Sequence, residues 1–306
     1  MIQTSTGMVG NSFKLGYRFQ RYWDTSMAIA FFSAEVGTGL FLVSFYFNLF
    51  SGMILGLAIT GTLKPYFHLA HMGVPNRSWR AILRPDRSWI SRGVISIGML
   101  IGFGVLHVVN RSIGLEATFG LPAAVGNAIA YLAVIGALLV MCYQGMAMSD
   151  SEAFTLWASP LVPLSSFCYA LTAGALATLA VGWGVLGEEQ RATLSTLALT
   201  MLLVDLAVVV GILFRAKNKS KGGAFSVDLL MRGEYAPRFR NLVLILGIVF
   251  PAVLLAAAGT SRLVELLALL AMLVGFFNFR MLMFKAAVFE PITHDLAGSF
   301  GLPSAR

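Results

Sequence analysis

Charge is the scarcest thing in this sequence. Of 306 residues only 12% are Asp, Glu, Lys or Arg, while 58% are hydrophobic, and the mean hydropathy is +0.80. A soluble domain carries about a quarter charged residues, so a water-solvated globule is excluded and lipid must be the solvent for much of the chain. Cysteine is almost absent. Cys142 and Cys168 both stand inside apolar stretches and make no CxxC or metal-ligand spacing. A disulfide framework is excluded, and neither zinc nor an iron–sulfur cluster is expected within the chain. No low-complexity tract and no internal repeat breaks the pattern, so residues 1–306 read as one membrane domain. It has a polar N-terminal segment 1–24 and a C-terminal tail 286–306. A cleavable signal peptide is not expected, because the first 24 residues are polar and include Lys14, Arg18 and Arg21.

What is abundant is apolar sequence in unalternated runs of helical length. Backbone polar groups in a bilayer must be satisfied within the segment, which leaves helices or a closed barrel. Runs of about 20 residues without alternation select helices. The runs predict eight spans at 25–46, 50–71, 91–110, 121–144, 161–185, 193–214, 241–258 and 263–284. Turn chemistry joins them at Asn48–Gly52, Pro75–Asn76, Pro85–Asp86, Gly114, Gly187 and the Lys217–Gly223 run. In the longer joint 146–160, Ser149–Asp150–Ser151–Glu152 is expected to cap a short interfacial helix ending at Trp157.

Basic residues orient the bundle. With eight spans, the side holding the N-terminus collects nineteen Lys and Arg residues, among them Lys14, Lys64, Arg77, Arg84, Lys217, Arg280 and Arg306. The other side keeps only Arg111, Arg191 and Arg262. By the positive-inside rule both termini are expected in the cytoplasm. The net charge of +8 is then chiefly a topology signal. It marks no nucleic-acid surface, because the cations sit in short juxtamembrane loops rather than on a folded basic face.

Ionisable groups at bilayer depth each require a reason. Glu35 follows Asp24 by eleven residues, ~16 Å along a helix, and Asp205 lies at a similar depth before Arg215. Each is either a hydrogen-bonded structural carboxyl or a proton relay or substrate contact, and both readings stand at this stage. Glu265 reads as a solvated residue at the start of the last span. Arg280 is expected to snorkel to the inner headgroups.

The densest chemistry lies at the inner end of the second span: Lys64, Tyr66, His68, His71, then Gly73, Pro75, Arg77, Trp79 and Arg80. Lys64, His68 and His71 are spaced i, i+4, i+7 and share one helical face. Imidazoles and cations at a membrane surface suit a two-proton, two-electron carrier with carbonyl oxygens, since imidazole exchanges protons near neutral pH. The same residues could equally be an interfacial anchor belt. Haem is not expected: His107 falls near the opposite face from His68 and His71, and no two histidines match in depth on different spans.

The stretch His71-Met-Gly-Val-Pro75-Asn-Arg77-Ser-Trp79-Arg80, followed by Arg87-Ser-Trp89-Ile-Ser91-Arg92, resembles the H-L-G-x-P-x-R…S-W-x-S-R signature of the NrfD/PsrC-like membrane subunits, which include polysulfide reductase and dimethyl sulfoxide reductase anchors. Trp157-Ala-Ser-Pro160-Leu-Val-Pro163 and Glu35-Val-Gly-Thr-Gly-Leu-Phe41 are similar to further stretches of that family. The resemblance implies a haem-free subunit that binds quinone, menaquinone or ubiquinone. It implies an iron–sulfur ferredoxin-like partner and a molybdopterin or tungstopterin catalytic partner, with the chain in a bacterial or archaeal inner membrane; the charge count, not the resemblance, leads to the expectation that these partners dock on the cytoplasmic face. His71 and Arg77 are the matched candidates for the quinone pocket, with His68, Lys64, Tyr66 and Trp79 beside them and Glu35 as the proton-handling acid. Several relatives carry a glutamate just after the S-R or S-N pair, where this chain has Gly93; if that acid accepts the proton there, Glu35, Asp205 or Asp86 must substitute here, or protons take another route. The competing expectations are an ion-coupled carrier and a structural anchor without its own quinone site. Against the carrier, no paired Gly/Pro-broken spans occur in corresponding halves.

Overall fold

The computed structural model describes residues 17–258 and 261–290. Strand β1 (Arg18–Phe19) leads into helices α1 (Thr25–Tyr46) and α2 (Phe50–His71). A 3-10 segment (Pro75–Leu83) leads to α3 (Trp89–Ile113), the short α4 (Leu115–Phe119), α5 (Ala123–Ser149) and α6 (Leu161–Val181). The chain continues through α7 (Glu188–Lys219), α8 (Lys221–Met231) and α9 (Ala236–Arg238). A π-helical stretch Phe239–Val249 runs on into α10 (Phe250–Ala258), and α11 (Arg262–Lys285) and strand β2 (Val288–Phe289) complete it. Seven helices among these residues are long and apolar enough to cross a membrane, with Ala236–Ala257 counted as one. The protein is thus an all-helical, multi-pass membrane protein. α2 matches the others in length but is not among the seven, because Lys64, Pro65 and Tyr66 dilute its hydropathy.

Boundaries follow local chemistry. Asp24 caps α1 by accepting from Met27 N at 3.2 Å, Ser88 caps α3 and Ser261 caps α11, each satisfying an amide that the first turn leaves free. Gly114 ends α3 in the left-handed region at φ 63°, where only a residue without Cβ sits unstrained. The short interfacial helix expected over 149–157 does not form. α5 runs on to Ser149, Asp150 serves as its C-cap, and the joint to α6 is a series of turns. α7 likewise extends past the expected 193–214 at both ends, so that only Ser220 separates it from α8.

α1, α6 and α11 form the centre of the bundle, and α3, α5 and α7 lie outside them with most of their apolar surface uncovered by the described residues. Small residues let the central helices approach: a Cβ on Gly39 would run into the backbone of Ala170, and one on Gly174 into that of Gly39. At one end of the bundle β1 pairs antiparallel with β2, Arg18 opposite Phe289. Beneath them Trp23, Trp157 and Phe284 pack with ring centroids 5.0–5.8 Å apart. Trp157 Nε1 donates to the Met283 carbonyl at 2.7 Å, which pins the start of α6 to the end of α11.

Candidate functional site

A polar centre occupies the middle of this apolar bundle. Glu35 on α1 and Arg280 on α11 are both fully buried and form a two-pronged ion pair, Nε to Oε2 at 3.0 Å and Nη2 to Oε1 at 2.7 Å. The same Nη2 donates to Ser166 Oγ on α6 at 2.8 Å. Arg280 therefore does not snorkel to the headgroups. Its side chain turns into the helix cluster, where the carboxylate of α1 lets a guanidinium stay charged away from water.

Lys64 on α2, 2% exposed, donates to Gln144 Oε1 on α5 at 2.9 Å, and Gln144 Nε2 donates to the Phe31 carbonyl at 3.2 Å. The ammonium lies over the rings of Phe31 and Tyr143, at 4.5 and 5.5 Å from their centroids, so π faces replace part of its lost hydration. Asp205 on α7 accepts from Thr172 Oγ1 on α6 at 2.6 Å. Its Oδ1, the Tyr169 hydroxyl and Arg280 Nη1 are buried with no hydrogen-bond partner among the described residues. Glu265 is no solvated helix-start residue either. It is fully buried and ion-paired with Arg191.

Towards the end of the bundle that carries β1 and β2, α2 presents His68, whose Nδ1 is buried without a partner among the described residues. One turn further on, His71 Nδ1 lies 3.2 Å from Asp24 Oδ1. Burial pushes the Asp24 carboxyl up, but the Met27 N–H and the charge and hydrogen bond of His71 outweigh it and hold the group below its ordinary value. Asp24 also borders a cleft of about 350 Å³ whose walls include Phe19, Trp23, Tyr235, Phe284 and Lys285.

The sequence-predicted residues thus divide into three groups. Glu35 and Lys64 sit in the polar centre, His68 and His71 at the helix end, and Tyr66, Arg77 and Trp79 on the surface, with Tyr66 66% and Trp79 61% exposed. The Arg77 side chain is not brought to His71. Of the three acids expected to stand in at Gly93, Asp86 is exposed and tied to Arg84 and Arg87, Asp205 is bonded to Thr172, and Glu35 faces Arg280. The space a side chain at Gly93 would need is filled by the Tyr143 ring. Sequence reasoning missed Gln144, Ser166, Tyr169, Thr172 and Asp24. Gln144 alone carried a signal, as an amide inside an apolar run. Among the described residues no three His, Cys, Asp or Glu side chains gather into a metal-holding group.

Many crossing helices around a charged, hydrogen-bonded interior define a polytopic membrane subunit with built-in polar chemistry. Residues 15–290 match the family described as Polysulphide reductase, NrfD, and the chain belongs to it. Members are membrane subunits of redox complexes, and this chain shares that role and the association with other redox subunits. No curated protein matches the chain.

Proposed function

We propose that the chain is the haem-free quinone/quinol-binding subunit of an iron–sulfur and molybdopterin (or tungstopterin) oxidoreductase. It would exchange electrons between the quinone pool, menaquinone or ubiquinone, and a cluster-bearing partner. The observation that carries this reading is the His71–Asp24 pair beside the aromatic cleft. Trp23, Phe284 and Phe19 offer apolar walls to a flat ring, and Asp24 joins the cleft to an imidazole at headgroup depth. A bound quinone would supply the two-electron, two-proton chemistry. Asp24 holds His71 by Nδ1, which leaves Nε2 free to donate to or accept from a ring oxygen. Arg77, exposed on the loop after α2, is kept in the proposal by its place in the family signature. His68, Lys64 and Glu35 lie inwards from His71, His68 and Lys64 on the same face of α2 and Glu35 in the polar centre beside Arg280, and would form its proton-handling series.

Topology forms part of the proposal. Pairing of β1 with β2 puts residues 18 and 288 at one end of the bundle, so an even number of crossings must separate them. Seven apolar spans plus α2 make eight. Lys64 and Arg280 lie in the interior and leave the charge tally, yet seventeen cations against three still favour a cytoplasmic location for that end. The iron–sulfur and molybdopterin subunits would dock there, in a bacterial or archaeal inner membrane.

In the intact complex, His71→Ala or Arg77→Ala is expected to impair quinone-coupled turnover by about 10- to 100-fold, the loss of one buried or charge-assisted hydrogen bond. Activity of the catalytic partner with a soluble dye should survive. Wild-type quinone turnover in both variants would overturn the site. A pyridine haemochrome assay of the complex should find no haem belonging to this chain.

A further inference from the structure

The connection between α2 and α3 is built unlike the rest of the molecule. Its 3-10 segment runs for nine residues and buries none of them, whereas such segments seldom exceed three or four residues. The segment has no core of its own, and it is held by its ends. Ser91 Oγ at the start of α3 donates to the Ala81 carbonyl, and Arg92 donates through Nε to the Pro85 carbonyl at 2.8 Å and through Nη2 to the Asp86 carbonyl at 3.2 Å. These bonds fold the loop back onto α3 and leave Val74, Trp79, Ile82 and Leu83 exposed, each between 44% and 61%.

Two properties decide what covers that surface. The first is continuity: the neighbouring exposed apolar residues are Leu63, Tyr66 and Leu69 on α2 and Ile90, Val94 and Ile95 on α3. Of the seven apolar spans α3 is the least covered, with 22% of its apolar stretch buried among the described residues, which leaves this edge open to lipid, and the loop continues the row of exposed apolar side chains past the end of α2. The second is charge. Arg77, Arg80, Arg84, Arg87 and Arg92 oppose Asp86 alone, five positive against one negative. Arg84 and Arg87 share that single carboxylate, which their hydrogen bonds hold below its ordinary range. Arg80 has a ring for company, its guanidinium 5.6 Å from the Trp79 centroid. Apolar and aromatic side chains beside unneutralised guanidinium groups are the chemistry of an anionic headgroup region.

We propose that residues 74–87 form a binding site for anionic phospholipid. Arg80, Arg84 and Arg87 would engage the phosphodiester, and Ile82 and Leu83 would enter the acyl boundary beside it. The site shares its loop with Arg77, but Arg80, Ile82, Leu83, Arg84 and Arg87, which carry it, have no part in the quinone reading, so it stands if that reading fails. The test uses the full chain in nanodiscs of phosphatidylcholine alone, or of three parts phosphatidylcholine to one part phosphatidylglycerol. Hydrogen exchange of residues 74–88 should slow only in the mixed bilayer. Native mass spectrometry in detergent should find phosphatidylglycerol bound in preference to phosphatidylcholine. Arg80→Gln/Arg84→Gln should weaken that binding about twenty-five-fold, about fivefold for each arginine. Ile82→Ser/Leu83→Ser, which keeps every charge and so protects topology, should weaken binding of both lipids. Equal exchange in the two bilayers, no preference for phosphatidylglycerol, or protection that arrives only when the iron–sulfur partner docks would each overturn the proposal.

Discussion

Arg280 and Glu35, 245 residues apart in the chain, meet as a fully buried two-pronged ion pair between the first and last long helices. The contact closes the bundle and supplies the centre of its charged interior. Each charge is tolerable at that depth only because of the other.

That dependence is measurable. Arg280→Met strands a buried carboxylate and is expected to cost about 3–5 kcal/mol, the range for breaking a buried pair. The double variant Glu35→Gln/Arg280→Met should be clearly more stable than the single one. Unfolding midpoints in mild detergent read both, and equal losses would show that the two residues act independently. Arg280→Lys should not restore the wild-type midpoint, because an ammonium lacks the planar fork of two nitrogens that matches both carboxylate oxygens.

Close packing of α1 on α6 rests on Gly39. A methyl there meets the Ala170 backbone, while one at Gly98 on α3 meets nothing within 4 Å. Gly39→Ala is expected to destabilise by about 1–3 kcal/mol, the usual cost of overpacking, and Gly98→Ala to leave the midpoint nearly unchanged. Comparable midpoints for the two variants would contradict the packing described.

The Asp24 carboxyl is depressed in the folded protein. Its stabilisation of the start of α1 is therefore complete above the ordinary carboxylate pKa, about 3.9, and is lost as pH falls through the lower folded value. Hydrogen exchange of residues 25–28, corrected for intrinsic rate, should stay constant from neutral pH to about pH 4 and quicken below that. In Asp24→Asn the profile should be flat. A wild-type profile that quickens already near neutrality would mean that another group controls the cap.

Topology is checked with reporters fused after Gly114 and after Gly222. Eight crossings with cytoplasmic termini place the first outside and the second inside. The reverse pattern, or two reporters on one side, would defeat the arrangement.

Spans, their order and the family signature were legible in the sequence because each depends on residues near one another in the chain. Twenty apolar residues without alternation make a helix whatever surrounds them, and seven of the eight expected spans correspond to helices apolar enough to cross a membrane. α2 also covers the expected 50–71, but the proposal that it too crosses the bilayer rests on the strand pairing rather than on its hydropathy. Local turn chemistry misled once, at 149–152, where α5 gained more from continuing its own hydrogen bonds than from yielding to a new cap.

The charges behaved differently. Taken alone, Arg280 had every reason to reach for the headgroups and Glu265 every reason to meet water, since charge at that depth is costly. Each lies buried because a residue far away in sequence supplies the opposite charge, Glu35 in one case and Arg191 in the other. The signature residues parted company for a similar reason: His71 found Asp24, whereas Arg77 stayed on a loop that none of the described residues buries. The sequence by itself determined the solvent of this protein, its helices and its family, because hydrophobicity and local hydrogen bonding act over neighbouring residues. Only the tertiary structure decided which buried charge faces which, because such a partner is set by how distant helices pack and not by any spacing along the chain.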